Sequence, residues 1–200
     1  MASDPDEHHP PEDGARWIGR HSIRLKDYDY SSEGGYFVTM CVKNRECLFG
    51  EIVDGTMRLN DLGKIVDECW RAIPDHFPNV ETDEFVVMPD HVHGIIIIVD
   101  GQNSVGAPQF VGAQHAVPLQ NNIPQREQFG KPTHGTLPTI IRSFKSATTK
   151  KINETRNSPG ESVWQRNYFE RIIRNEDELN RIREYIYNNP ARWQQDADYI

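Results

Sequence analysis

Hydrophobic residues in the first part of the chain alternate between strand-like and helix-like spacing. The β-branched and aromatic run Tyr36–Val42 predicts a buried strand, and a short second strand is predicted at Thr56–Leu59. Apolar residues at helical spacing then predict a helix that begins at Asp61 or Leu62 and ends near Asp75. The order up to this point is strand, strand, helix.

Two more strands and a second amphipathic helix follow. Val80–Val87 and His91–Val99 predict paired strands joined by a tight turn or a bulge. Thr136 is predicted to cap a helix whose apolar stripe comes next in the sequence. That stripe consists of Leu137, Ile140, Ile141, Phe144 and Ala147.

The last part of the chain predicts an extended segment and a final helix. Val163–Ile173 has strand-like composition, and Asn175 with Glu178 forms a predicted capping box. The helix is predicted to run from Glu176 to about Asn189, where Pro190 ends it. The mixture of paired strands and helices predicts an α+β protein of the ferredoxin-like type, with a largely antiparallel sheet and helices packed on one face.

Composition separates two segments from the predicted core. Residues 1–15 have almost nothing to bury and predict a disordered acidic tail. Residues 100–134 are rich in Gly, Gln, Asn and Pro, and they predict a flexible insertion between two core elements. Residues 16–200 are therefore interpreted as one domain.

The overall composition favours a cytoplasmic protein. The longest aliphatic run, Ile95–Val99, is far shorter than the roughly 20 residues that span a bilayer. Cys41, Cys47 and Cys69 form no C-x-x-C pair, so neither a disulfide framework nor a cysteine-based zinc site is expected. We expect no membrane partner and a reducing compartment.

The formal net charge of −8 hides a basic segment. From Thr136 to Arg174, eight Lys and Arg residues face three Glu residues, which could form a phosphate-binding surface or simply a solvated helix face. The basic residues of this segment that are candidates for contact with DNA are Arg142, Lys145, Lys150, Lys151, Arg166 and Arg171.

His91 and His93, two positions apart, are the most specific chemical feature of the sequence. Residues i and i+2 of a strand point to the same face, so the two imidazoles can coordinate one cation. The alternative is a pair of polar residues on an exposed sheet face. The apolar run that follows, Gly94–Val99, favours the functional interpretation because it predicts a buried strand.

The predicted final helix carries a second candidate group. Tyr185 lies on the shoulder of the apolar stripe, and Asn189 lies four residues later on the same face. A tyrosine is a poor nucleophile unless a nearby cation or base activates it, which a metal on His91 and His93 could do, with Asn189 as a third, oxygen ligand. Tyr187 is the rival tyrosine, and the alternative for Tyr185 is a residue at the core edge with its hydroxyl in water.

Several motifs together resemble one family. Met88-Pro-Asp-His-Val-His-Gly94 resembles the M-P-N-H-V-H signature of the single-tyrosine HUH transposases. Val163-Trp-Gln-Arg-Asn-Tyr-Phe-Glu170, Ile173-Arg-Asn175 and Tyr185-Ile-Tyr-Asn-Asn-Pro190 resemble the C-terminal block of the REP-associated tyrosine transposases. The resemblance covers about Arg20–Trp193, apart from residues 100–134.

The resemblance implies a metal-dependent enzyme that cleaves and rejoins single-stranded DNA, usually at hairpins, through a 5′-phosphotyrosine intermediate. It implies His91 and His93 as ligands of Mg²⁺ or Mn²⁺, Tyr185 as the nucleophile and Asn189 as the third ligand. The basic segment then becomes the candidate DNA surface, with Trp164 among the residues that could stack on unpaired bases. A nucleoid-associated cytoplasmic protein, monomeric or homodimeric, is expected.

Two alternatives remain open at this point. A domesticated protein would bind DNA hairpins without turnover, and a hydrolase would use the histidines without a covalent intermediate. The chain also departs from the family motif, because Asp90 stands where the motif has Asn. Asp90 could place a charge beside the metal or could itself be an oxygen ligand.

Overall fold

A four-stranded antiparallel sheet forms the centre of the computed structural model, which describes residues 32–99 and 135–196. In chain order the elements are β1 (Gly34–Cys41), β2 (Gly50–Val53), β3 (Thr56–Leu59), α1 (Asp61–Arg71), α2 (Ile73–His76), β4 (Val80–Val87), β5 (His91–Ile98), α3 (Leu137–Arg156), β6 (Phe169–Ile173) and α4 (Glu176–Asp196). The predicted tail and insertion lie outside the described residues. No helix within the described ranges is long and apolar enough to cross a membrane.

The sheet has the strand order β4-β5-β1-β6, and β2 pairs with β3 in a separate hairpin. With α1 between β1 and β4, and α3 between β5 and β6, this is the β-α-β-β-α-β arrangement of the ferredoxin-like fold. The predicted α+β class and antiparallel sheet are confirmed. The β2 strand escaped prediction because Gly50–Val53 is short and only partly buried.

Every residue of β5 is buried, because both faces of the sheet are covered. Val92, Ile96 and Ile98 pack with α1 and α3 on one face. Ile95 and Ile97 pack with Leu179 and Ile186 of α4 on the other. The predicted packing on one face therefore describes α1 and α3, while α4 adds a third layer on the opposite face. His91 and His93 share the alternation of Ile95 and Ile97, so they point toward α4.

The face of the sheet that α1 and α3 cover requires a glycine at position 94. The Trp70 indole lies directly over Gly94, where any Cβ would overlap the ring. Trp70 is fully buried and contacts Phe85 and Phe144. Gly94 thus lets α1 lie close to β5, and it sits next to His93 on the same strand.

The last helix continues past its predicted end. The Asn175 half of the predicted capping box is present, because the Glu178 amide donates to Asn175 Oδ1 (2.9 Å); Glu178 Oε2 accepts from the amide of Arg174, one residue before the predicted partner (2.9 Å). The predicted end at Pro190 is wrong, because α4 runs to Asp196 with Pro190 inside it. The proline removes one helical hydrogen bond, but the next turn carries Trp193, whose ring packs against His91 at 5.7 Å.

Two smaller expectations also need correction. Thr136 occupies the predicted N-cap position of α3, but its side chain caps no backbone amide; its hydroxyl donates to the Thr139 hydroxyl instead (3.1 Å). The predicted extended segment Val163–Ile173 is a sheet strand only over Phe169–Ile173. Its first part contributes a single bridge from Trp164 to Val42.

An ion pair ties α4 to the edge strand β4. At the irregular step in the β4–β5 register, Asp83 accepts two hydrogen bonds from the Arg183 guanidinium, at 2.8 and 2.5 Å. The hydrogen bonds from Arg183 hold the pKa of the Asp83 carboxyl below its ordinary value. Arg183 is two residues from Tyr185, so this pair fixes the part of α4 that carries the tyrosine.

Asp83→Asn is expected to lower the free energy of unfolding at pH 7 by about 1 kcal/mol. A carboxyl with a lowered pKa contributes stability above its unfolded pKa, near 4, and loses it as the pH falls through the folded value. The difference between wild type and variant should therefore shrink below about pH 4. Urea denaturation from pH 7 to pH 3 measures it, with Asp67→Asn in the exposed Asp67–Arg71 pair as the control. A difference that stays constant with pH would contradict an electrostatic origin.

Candidate active site

His91 and His93 lie side by side on β5 and are both buried. They are 5% and 6% exposed, and their Nε2 atoms are 3.0 Å apart. The ring centroids are 4.5 Å apart at an interplanar angle of 73°. The alternative of two solvated polar residues on an open sheet face is therefore wrong, because α4 covers this face.

Each imidazole has a partner at Nδ1. His91 Nδ1 lies 2.6 Å from Asp90 Oδ1, and His93 Nδ1 lies 2.8 Å from the Thr39 hydroxyl. Burial, the neighbouring His91 and the Arg45 guanidinium hold the pKa of His93 well below its ordinary value. His93 is therefore neutral at physiological pH. The Nδ1 partners leave both Nε2 atoms facing one shared space.

This donor set fits a divalent cation. Metal-binding histidines are typically held by a hydrogen bond at the other ring nitrogen, as both are here. Nitrogens 3.0 Å apart can both reach one ion at a metal–nitrogen distance of about 2.1 Å. Within residues 32–99 and 135–196, no group of three or more His, Cys, Asp or Glu side chains is placed to hold a metal. Further ligands would thus be amide, water or substrate oxygens.

Tyr185 reaches the histidine pair from α4. Its hydroxyl lies 3.3 Å from His93 Nε2, and its ring meets the His93 ring at a centroid distance of 5.3 Å. The side chain is 40% exposed, whereas His93 is buried. Tyr187 is 76% exposed and leaves the helix about half a turn away. The tyrosine that contacts the histidines is therefore Tyr185, and a substrate from solvent can reach it.

Asn189 is placed by the same helix. It is 5% exposed and lies one turn after Tyr185 and one turn before Trp193. Tyr185 contacts His93 and Trp193 contacts His91. Asn189 therefore lies on the side of α4 that faces the histidine pair.

Three supporting residues escaped the sequence analysis. Thr39 holds His93, Arg45 Nε lies 2.9 Å from Asp90 Oδ2, and Phe37 stacks on the His93 ring at 5.5 Å. Thr39 and Phe37 could have been found from the alternation of β1, once its pairing with β5 was known. Asp90 points behind His91 toward Arg45, so the expectation that it could ligate the metal directly is not supported.

Three of the basic residues predicted to contact DNA lie on the opposite side of the sheet from the histidine pair. Arg142, Lys150 and Lys151 are exposed on α3. Because α3 packs on the face opposite to α4, the sheet separates these charges from the histidines. The structure therefore does not bring these three bases to the site.

Two further predicted contacts are engaged within the fold. Lys145 Nζ donates to the carbonyls of Gln165 and Asn167, at 3.0 and 2.9 Å, and burial lowers its pKa to about 8. Trp164 is 6% exposed, and its Nε1 donates to the Thr148 hydroxyl (2.9 Å). The expectation that Trp164 stacks on a base needs correction, because its ring belongs to the core.

The side of the sheet at β6 is closer to the histidines. Phe169 is 36% exposed and meets Phe37, the residue that stacks on His93, at a centroid distance of 6.2 Å. Arg171 lies on the same face of β6 and pairs with Glu178 at 2.7 Å. Arg166 is exposed just before this strand. Phe37 thus links the partly exposed ring of Phe169 to Tyr185, and Arg171 shares the face of β6 on which Phe169 lies.

Comparison with known proteins places the chain among relatives. No model of a known protein family matches it. An uncharacterized protein of Haemophilus influenzae is 48% identical over 181 residues, which are 90% of this chain and 93% of that protein. The chain belongs to the same family as that protein.

A second protein of Haemophilus influenzae, assigned as a REP-associated tyrosine transposase, is 24% identical over 82% of this chain and 74% of its own length. A solved structure of a REP-associated tyrosine transposase bound to a REP hairpin superposes with a TM-score of 0.54 at 17% identity, covering 86% of this chain and 74% of that one. The chain is therefore similar in sequence to one protein assigned as a REP-associated tyrosine transposase and similar in fold to another. The resemblance to these transposases predicted from the sequence is confirmed, and the predicted fold class matches the fold of the superposed structure.

Proposed function

We propose that this chain is a metal-dependent tyrosine transposase that cleaves and rejoins single-stranded DNA at hairpins. The observation that carries the proposal is the position of the Tyr185 hydroxyl, 3.3 Å from His93 Nε2, on a residue that is 40% exposed. A partly exposed phenol against two buried imidazoles whose Nε2 atoms face one space suits a metal-assisted, covalent phosphoryl transfer. Its relatives among the REP-associated tyrosine transposases support the same class.

His91 and His93 would hold Mg²⁺ or Mn²⁺, with Asn189 as the third ligand. Such a cation supplies Lewis-acid polarisation of a phosphate oxygen. Tyr185 Oη then attacks phosphorus, the bond from phosphorus to the 3′ oxygen breaks, and the phenol proton is balanced by the proton that the 3′ oxygen gains. The products are a 5′-phosphotyrosine and a free 3′-OH. Attack by another 3′-OH reverses the step, so no external energy source is needed.

In this structure the histidines and Tyr185 belong to one chain, which supports a site assembled within one subunit. We propose that single-stranded DNA approaches along β6, where Phe169 can stack on an unpaired base and Arg166 and Arg171 can contact phosphates. Arg142, Lys150 and Lys151 on α3 would contact DNA only at a distance from the cleavage point.

The test is covalent capture. Labelled single-stranded hairpins incubated with the protein and Mn²⁺ should give a labelled adduct that survives denaturing electrophoresis. Tryptic digestion yields the peptide Glu184–Arg192, which contains both Tyr185 and Tyr187. Fragmentation of this peptide by mass spectrometry should place the phosphodiester on Tyr185.

Other results would decide against the proposal. Retention of the hairpin in a native gel without any adduct would identify a binding protein without turnover. Cleaved DNA without an adduct would identify a hydrolase that uses water.

A further inference from the structure

Asp90 is a buried carboxylate with two strong partners. It is 4% exposed, and its Oδ1 lies 2.6 Å from His91 Nδ1 while its Oδ2 lies 2.9 Å from Arg45 Nε. An ionised carboxylate in such a place is costly unless it is paired and hydrogen-bonded. The two contacts offset that cost, and the first of them ties Asp90 to His91.

The segment after β1 delivers Arg45 to this position. Asn44 and Arg45 have φ angles of 58° and 57°, a conformation that arginine rarely adopts. The same segment grips the turn before His91 through backbone hydrogen bonds from the Val42 amide to the Asp90 carbonyl (2.8 Å) and from the Phe49 amide to the Pro89 carbonyl (3.0 Å). Side chain and backbone contacts thus place Arg45 and Asp90 together.

We infer that Asp90 and Arg45 are positioning residues for His91 and set the cation affinity of the histidine pair. The inference rests on the proposed function only in taking the pair to hold a divalent cation. The related transposase motif has Asn at this position, which is neutral. In this chain the Arg45 guanidinium balances the charge of the Asp90 carboxylate. Asp90 and Arg45 together therefore stand in place of the single neutral Asn of the motif.

The two histidines are held in different ways. A carboxylate only accepts hydrogen bonds, so Asp90 requires the proton of neutral His91 to be on Nδ1 and leaves the Nε2 lone pair for a cation. The Thr39 hydroxyl can donate to His93 Nδ1 or accept from it, so it permits either tautomer of His93. Asp90 therefore fixes one ligand, while His93 can adapt.

Arg45 and Asp90 act on a cation with opposite signs. The carboxylate behind His91 makes the imidazole a stronger donor and attracts positive charge. The Arg45 guanidinium, 2.9 Å from Asp90 Oδ2, repels it. Neutralising Asp90 should therefore lower the affinity for a cation, and neutralising Arg45 should raise it.

The experiment measures Mn²⁺ binding by the loss of the free-ion signal in electron paramagnetic resonance. Asp90→Asn and Asp90→Ala are expected to weaken binding by about 10-fold and by up to about 100-fold, and Arg45→Gln is expected to strengthen it. Asp67→Asn and Arg71→Gln, in the exposed pair on α1, are the matched controls and should leave it unchanged. Long-range ¹⁵N–¹H spectra of metal-free protein should show His91 protonated on Nδ1, and a tautomer mixture in Asp90→Ala.

Several outcomes would overturn the inference. They are a wild type that binds no Mn²⁺, a His91 protonated on Nε2, or folded Asp90 variants with wild-type affinity. If Asp90→Ala does not fold, Arg45→Gln decides, because half of the Arg45 side chain is exposed and its loss spares the core; unchanged or weaker binding would count against us. If the adduct forms normally but the variants change neither Mn²⁺ affinity nor the His91 tautomer, the inference is wrong and the proposed function stands. If Mn²⁺ affinity and the tautomer change as expected but no adduct forms, the inference stands and the proposed function is wrong.

Discussion

Tyr185→Phe is expected to reduce covalent capture of DNA by at least about 10⁴-fold while leaving hairpin affinity within about twofold. The substitution removes only the hydroxyl. The ring contacts with Phe37 and His93, at 6.1 and 5.3 Å, are those of the ring itself and should persist. Single-turnover adduct formation on gels measures the first quantity, and fluorescence anisotropy with a labelled hairpin measures the second.

Tyr187→Phe is the matched control, because it makes the same chemical change two residues away on the same helix. It should retain adduct formation, since the Tyr187 side chain is mostly in solvent. A loss of capture in Tyr187→Phe with retention in Tyr185→Phe would transfer the nucleophile to Tyr187. Cleavage that persists in Tyr185→Phe without an adduct would show that water is the nucleophile.

His93→Ala is expected to abolish Mn²⁺-dependent capture, with a loss of at least about 10³-fold. The change removes one of the two Nε2 atoms that would bind the cation, and it removes the imidazole that the Tyr185 hydroxyl contacts. It leaves a small cavity beside Phe37, so we also expect a lower melting temperature. Adduct formation across a Mn²⁺ titration, compared with thermal unfolding of the same samples, separates the two effects.

His76→Ala is the control for a histidine that is exposed, at the end of α2. It should bind Mn²⁺ and form the adduct as wild type does. Wild-type adduct formation in His93→Ala at the Mn²⁺ concentration that suffices for wild type would contradict the role of His93 as a metal ligand.

The sequence predicted the placement of the chemical groups better than their surroundings. Strand periodicity puts His91 and His93 on one face, and helix periodicity puts Tyr185 and Asn189 on one side of α4; the motifs linked the two. These are local regularities, which depend on residues close together in the chain. The burial of the histidines followed from the apolar run after them, since β5 needs cover on both faces.

The rest depends on contacts between distant residues. Thr39 holds His93 across 54 positions, and no local pattern gives the strand register that joins them. Trp164 looked like a base-stacking residue by composition, but the hydrogen bond to Thr148 and the packing on Phe49 place it in the core. Pro190 predicted a helix end from propensity alone, which tertiary packing of the following turn overrides.

The division of the site between β5 and α4 has a consequence for protein synthesis. The Tyr185 hydroxyl meets an imidazole made 92 positions earlier in the chain. A ribosome therefore completes both histidines, and the strands that hold them, well before it adds the group that would attack DNA. An unfinished chain can present the histidine pair but cannot cut, so on the proposed mechanism cleavage begins only after α4 has been translated and has folded onto the sheet.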